Sequence, residues 1–517
     1  MKTLLTIILF FFISVSQFAQ FPQESWLDYN NQADGYGKLF RTEQGYLAFT
    51  GFTSLTTFLN GHLVTGLDLN GTIVFQKPYS NDTTYWGFYD GQNTIKSDDD
   101  GYYSVIAKWT EADNFNSVLV KFNNIGDTLW TKELFPELNV QVQSFIPVQN
   151  IDGSLTQFGI LSPIPNDDPT PWTNIILHTD SLGNYLWHEE HDGQQELINF
   201  SVLAVNDGYI VGGRASLTFQ EHQSHQYHQI VRKFDYAGNQ IWYKTVQTSP
   251  SGAEAPLVAL LQLDNGNYLY AGGRSLGTLS GSGETSNTDT RPVIGEIDAA
   301  TGDTLWEKGF GANNWQKQFF NLKETNDGGY IGVGQHTDNF DGPSQGWPIG
   351  FMIKLDQDFN EVWYRSYVPS IWTGMGRWSN LTDVVENDNG TFTAIGLLYT
   401  NTGDGPQGGF IQDTYLITVD SLGCIIAGCS VGITEEEISE EILLYPNPAN
   451  EYINLAFPQN DSYQIEIYDS QGHLVLTDQV KQSRSIQLNT STLPSGIYVM
   501  RCISNNQIFK TKSFVIH

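Results

Sequence analysis

Short apolar runs bounded by glycine-containing turns recur along most of the chain, and they recur at a regular spacing. One unit has a turn with glycine, an apolar strand ending in glycine, a variable loop, an apolar strand ending in Asp or Asn, then a turn and a strand carrying an aromatic residue. The runs Asn326 to Gly334 (NDGGYIGVG), Gly350 to Asp356 (GFMIKLD) and Asn360 to Tyr367 (NEVWYRSY) show it complete. Equivalent runs begin at Gln44, Asp100, Asp152, Asp207, Asn265 and Asn389. The closing aromatic falls at Phe75, Trp130, Trp187, Trp242, Trp306 and Trp363, with Ala427 in a degenerate seventh copy. Successive separations are 55, 57, 55, 64, 57 and 64 residues. A period of this size, built from about four short strands, predicts a propeller blade rather than a solenoid turn.

Local chemistry accounts for each part. Asp-Gly and Asn-Gly between alternating apolar runs favour tight hairpins, because these residues tolerate positive φ. Asp180 to Asn184 and Asp235 to Asn239 spell a second hairpin signal, Asp-x-x-Gly-Asn, after the third strand. The aromatic on the next strand is expected to pack between neighbouring blades. The seventh copy lacks it, yet Ser25 to Tyr29 (SWLDY) reads as an orphan fourth strand. Trp26 is therefore expected to complete the last blade and close the ring, removing an exposed sheet edge.

Composition agrees with an all-β chain: 517 residues, 16% charged, 13% aromatic and 50 glycines. The formal net charge of −32 disfavours nucleic acid and anionic membrane surfaces as partners and leaves cations and neutral glycans open. From Tyr445 onward the charge is balanced, Lys481, Arg484, Arg501, Lys510 and Lys512 against Glu451, Asp461, Glu466, Asp469 and Asp478. That shift marks a domain boundary. At the start, Lys2 precedes an apolar run from Leu4 to Val15 and a small residue, Ala19. The order predicts a Sec signal peptide over 1–19, cleaved near Ala19, and no other segment reads as a membrane span. Outside the cytoplasm, Cys424 and Cys429 are placed to form a disulfide at the end of the body, leaving Cys502 as a buried thiol. The expected organisation is a signal over 1–19, a seven-bladed β-propeller over 20–430, an acidic linker over 431–442 and a small Ig-like β-sandwich over 443–517.

Two resemblances add to this. The stretch Asp298-Ala-Ala-Thr-Gly-Asp-Thr-Leu-Trp306 resembles the tryptophan-docking motif of quinoprotein propellers. The motif is structural in that family too, and neither vicinal cysteines nor a calcium-ligand set accompanies it here, so no quinone cofactor is expected. The last part of the chain closely resembles the type A sorting domain of the type IX secretion system. The matching residues are Tyr445, Pro446, Asn447, Pro448 and Ala449, then Ile467-Tyr-Asp469 with Gly472, Leu493 to Tyr498 including Gly496, Ile497 and Tyr498, and the closing run from Lys512. The resemblance implies passage through the periplasm in a Gram-negative cell, recognition by the outer-membrane translocon, removal of the domain by its sortase, and release or attachment at the cell surface. It implies nothing about the propeller's activity.

Other clusters are weaker signals. His222, His225 and His228 share a loop, but steps of three do not place side chains on one strand face, and no metal site is expected. Asp98-Asp-Asp100 and Asn387-Asp-Asn389 mimic calcium loops yet coincide with the repeat's turn, so structural calcium stays unassigned. No Gly-x-Ser-x-Gly, His-Glu-x-x-His or phosphate-loop pattern occurs. Trp172, Trp315, Trp347, Trp372 and Trp378 fall outside the docking position and suit either sugar stacking or loop packing. Asp-Ser/Thr-Leu triplets at Asp127, Asp180, Asp303 and Asp420 resemble bacterial O-glycosylation acceptors and also suit hairpin turns. The leading expectation is a non-catalytic binding or scaffold propeller with a glycan or protein ligand. The alternative is a hydrolase or lyase whose site lies in the central funnel.

Overall fold

The computed structural model describes residues 23–27, 33–53, 60–79, 85–87, 93–109, 115–134, 140–163, 173–191, 197–216, 227–248, 257–275, 290–311, 318–338, 347–369, 378–400, 411–425, 443–445, 449–450, 452–469, 473–504 and 507–516. The expected export signal and acidic linker lie outside them. Every named element among the described residues is a β-strand, and none is a helix long and apolar enough to cross a membrane. The chain divides into two compact units, Met1–Val431 and Gly432–His517.

Among its described residues the first unit holds seven antiparallel sheets. Six use strands consecutive in sequence, over 33–79, 85–133, 140–191, 197–248, 259–309 and 318–367. In the second of these the first strand is split into Tyr85–Gly87 and Thr94–Lys96, both paired with Tyr102–Trp109. The last sheet joins Trp378–Glu386, Phe392–Thr400 and Ile411–Val419 and takes the N-terminal strand Gln23–Leu27 as its fourth. Trp26 stands opposite Tyr415 in that pairing, and its side chain lies outside the described residues.

Apolar clusters join each sheet to the next. Phe49 of the first packs on Phe122 of the second, ring centroids 5.5 Å apart, and Tyr103 shares a cluster with Leu177 of the third. Phe158 meets Tyr209 of the fourth at 5.2 Å, and Ile210 clusters with Tyr270 of the fifth. Phe310 meets Phe319 of the sixth at 6.2 Å, and Trp363 meets Phe392 of the last at 6.1 Å. Leu39 and Tyr46 of the first sheet then cluster with Ile395 and Leu416 of the last. The order is cyclic, which is the geometry of a β-propeller closed by pairing the two ends of the body. Each large side chain buried in these seams contributes about 1.5–3 kcal/mol.

The turns follow the predicted chemistry. Asp180 Oδ1 accepts the Leu182 and Asn184 amides at 2.9 and 2.8 Å, and Gly183 supplies the left-handed residue at φ +75°. In three alternate sheets a buried lysine ties down the aspartate of the first hairpin: Lys121 to Asp99 at 2.6 Å, Lys233 to Asp207 at 2.8 Å and Lys354 to Asp327 at 3.0 Å. These contacts absorb Asp98-Asp-Asp100 into turn chemistry, and Asn387 likewise bonds Thr391 and Thr393, both at 2.9 Å.

The second unit is built on two long strands. Tyr452–Tyr468 pairs along its length with Leu474–Asn489, with breaks in register between Ala456 and Tyr463. Those breaks let a single long hairpin serve both ends of one core, where Ile453 and Leu455 meet Ile465, Met500 and Phe514. Gly496–Ser504 and Gln507–Ile516 complete the sheet.

Candidate functional site

The repeat's closing aromatic lies on the outer strand of its sheet and faces the glycine of an Asp- or Asn-led turn in the following one. The fit is tight enough that only glycine is accommodated there. A Cβ added to Gly183 would stand 2.9 Å from Trp130, to Gly238 3.2 Å from Trp187, to Gly302 2.7 Å from Trp242, and to Gly423 2.8 Å from Trp363. All four glycines have positive φ. Phe75 takes the same place against Gly126, with its ring 3.7 Å from such a Cβ. Two residues on, a basic side chain often reaches the same turn, as in Lys77 to Asp127 and Lys244 to Asp303, both at 2.6 Å.

One seam departs from the rule. The turn facing Trp306 reads Asp356-Gln-Asp-Phe-Asn360, and Phe359 occupies the left-handed position at φ +62°. A side chain there costs about 1–2 kcal/mol of backbone strain that glycine avoids. Phe359 stacks on Tyr330 at 5.0 Å and 24°, and meets Trp306 at 5.0 Å and 45°. The indole N–H is also spent differently from that of Trp363. Trp363 donates its N–H across the seam to the Ser421 carbonyl at 2.9 Å, whereas Trp306 donates back into its own sheet, to Glu296 at 2.6 Å. Burial would push the Glu296 carboxyl up, but donation from Asn267, Asn265 and Trp306 outweighs it and holds the group below its ordinary value. Beside this turn lies a surface cavity of about 320 Å³ lined by Trp306, Lys308, Gln357, Asp358 and Phe359. The signal was present in the sequence as a phenylalanine at a repeat position otherwise held by glycine.

A second constellation lies on the first strands of three sheets. Asp383, 1% exposed, accepts from the Leu39 amide at 2.9 Å, from Asn321 at 2.8 Å and from Lys323 at 2.6 Å. Burial alone would raise its pKa; the charges of Lys323 and Lys38 with the Leu39 N–H reverse that and keep it ionised. Lys38 is lowered by burial and by Lys323, against the pull of Asp383. Sequence reading missed this cluster because its members come from opposite ends of the body. The arrangement ties the first sheet to the last two, and its carboxylate is committed to that tie.

The remaining candidates are placed as follows. Cys424 is in a disulfide, and its expected partner Cys429 lies outside the described residues. Cys502 is free and buried, its thiol pushed up to about 12. His222, His225, Trp172, Trp315 and Trp372 fall outside the described residues, as do the side chains of His228 and Trp347. Trp378 is stacked on Tyr399 at 4.8 Å and 8°. The Asp-Ser-Leu triplets at Asp180 and Asp420 open turns, whereas the Asp-Thr-Leu triplets at Asp127 and Asp303 run from a turn into the exposed start of a strand. In the second unit, Ala449 is buried and donates its amide to the Val515 carbonyl at 2.7 Å. Tyr498 stacks on Phe514 and donates to the Pro494 carbonyl at 2.6 Å. Gly496 pairs with Ile516, Met500 with Lys512, and Tyr445 with Asn454, while Ile497 points outward. Pro446, Asn447, Pro448 and Gly472 lie outside the described residues.

Among solved structures the chain is similar to Trypanosoma rangeli sialidase in complex with sialic acid, at 8% identity and TM-score 0.40, covering 95% of this chain and 87% of that one. It is also similar to puromycin hydrolase, at 10% identity and TM-score 0.42 over 83% and 59%. A third is a Penicillium chrysogenum alpha-L-arabinanase complexed with arabinobiose, at 10% identity and TM-score 0.35 over 63% and 92%. No curated protein sequence matches the chain. Residues 443–517 match the family model of the secretion system C-terminal sorting domain. The buried Ala449 and Tyr498 are two of the residues on which that likeness was read. The chain thus carries a secretion sorting domain over 443–517, the mark of a protein sent to the cell surface or beyond it.

Proposed function

We propose that this is a cell-surface or released propeller of seven blades, exported by the type IX system, whose body binds or scaffolds and does not catalyse. A cleaved signal over 1–19, a body over 20–430 and an accessible acidic linker over 431–442 complete the reading, with translocon and sortase as partners of the C-terminal domain. The aromatics at 26, 75, 130, 187, 242, 306 and 363 serve as blade-docking residues, and Cys424 with Cys429 pins the end of the body.

The observation that carries the binding reading is the fate of the inner-strand charges. A general acid needs a carboxyl whose pKa is raised toward neutrality and a free path to substrate. Asp383 is instead buried, ionised and bonded to three sheets at once, so it works as a clasp. The test is a glycan array alongside a panel of glycoside hydrolase and polysaccharide lyase substrates, run on the full chain. Ligand capture without turnover is expected. Turnover that survives rigorous purification overturns the reading in favour of a funnel hydrolase or lyase.

A further inference from the structure

We infer that the crease between Trp306 and Phe359 is a saccharide site that takes an uncharged pyranose unit of a glycan. The inference rests on the binding reading above and gives it a place and a ligand class. Four of the repeat's turns carry a glycine at this position in close contact with the indole of the preceding sheet. Phe359 keeps a left-handed backbone that glycine would relieve, and strain of this kind is retained where a surrounding site uses it.

The geometry fits a sugar ring. Trp306 and Phe359 meet at 45° with centroids 5.0 Å apart, too close for a ligand to enter between them, so together they form one bent platform. A pyranose can lay its C–H face on such a platform while its hydroxyls turn outward. Lys308, Gln357 and Asp358 line the same cavity and offer donors and acceptors to those hydroxyls. The platform is fixed before any ligand arrives, since Glu296 holds the indole and Tyr330 backs the phenyl ring. Preorganisation of this kind lowers the ordering cost of binding. The cavity of about 320 Å³ lies at the small end of ligand sites, which run from about 300 to 1,000 Å³, and suits one or two rings. Lys308 and Asp358 balance each other in the lining, so the site itself carries no net charge to hold an acidic sugar, and the −32 of the whole chain disfavours one.

The test is calorimetric and tryptophan-fluorescence titration of the full chain with hexasaccharides of glucose, mannose, xylose and N-acetylglucosamine, with hexagalacturonate as the charged comparison. At least one neutral hexasaccharide is expected to bind with Kd of ~1 mM or tighter. Phe359→Gly, which restores the repeat's own residue, should weaken it about tenfold while its unfolding midpoint stays near that of the natural chain. Equal binding by Phe359→Gly overturns the site and leaves the binding reading of the body standing. Binding of none of the neutral sugars, tighter binding of hexagalacturonate, or capture only of peptides in this crease overturns the ligand class. Cleavage of the sugars overturns the non-catalytic reading and this inference with it.

Discussion

At Trp363 and at Trp306 the same repeat position meets two different neighbours. Trp363 is 3% exposed, lies against Gly423 and spends its N–H on the turn it touches. Trp306 is half-buried, meets a phenyl ring and spends its N–H on its own sheet. Trp130, Trp187 and Trp242, which also face glycine turns, are half-buried like Trp306, so what sets the Trp306 seam apart is the phenyl ring at a strained backbone position, not exposure. The difference teaches that in a repeat fold the informative residue is the one that breaks the pattern, because the other copies show what stability alone would have chosen.

The comparison can be broken first at the indoles. Trp363→Ala should cost about 4 kcal/mol in urea unfolding, as removal of a buried tryptophan does, and Trp306→Ala about half of that, since its ring already faces solvent. Equal losses would mean that the two seams are energetically alike. The reciprocal turn exchange is expected to be smaller. Gly423→Ala forces a Cβ to 2.8 Å from the Trp363 ring at φ +77° and should destabilise by about 2 kcal/mol. Phe359→Gly should stay within about 1 kcal/mol of the natural chain, the strain relieved offsetting the packing lost on Tyr330. A large loss there would show that Phe359 is a structural plug.

Acid should have the smallest effect, with any difference between the seams falling on Trp306, whose N–H goes to the Glu296 carboxylate, a group held below its ordinary value. Asp99 is held near about 2 by Lys121 and Ser97, and Asp327 near about 2 by Thr325 and Lys354. Both values are depressed on folding, so their stabilisation is complete above about pH 4 and disappears as pH falls through about 2. Solvent screening limits each to about 0.2–1 kcal/mol. Chemical denaturation at pH 7 and pH 3 should leave the cost of Trp363→Ala unchanged and lower that of Trp306→Ala slightly, as Glu296 takes up a proton and its bond to the indole weakens. A change at Trp363→Ala instead would place the titrating group in the other seam.

Much of this was open to reading along the chain. The aromatic at the end of each unit, the Asp-x-x-Gly turns and the orphan strand around Trp26 are local patterns with a fixed period, and the observed pairing of Gln23–Leu27 with Ile411–Val419 follows the expectation drawn from them. The sorting domain was legible as ordered short motifs that resemble a known family. The length of the strands Tyr452–Tyr468 and Leu474–Asn489 was not legible, because polar residues interrupt their alternation where the register breaks. Asp383, with partners at Lys38, Leu39, Asn321 and Lys323, gave no local sign at all.

Periodicity by itself determined that this chain repeats one sheet around a ring, since strand alternation and turn chemistry act over a few residues; the export domain was legible only through its likeness to a known family. Which glycine receives which indole, what the exception at Phe359 leaves open, and how Asp383 locks the first sheet to the last were decided only by tertiary structure. Those contacts join residues about 50 to 345 positions apart, and burial and charge pairing act through space, not along the chain.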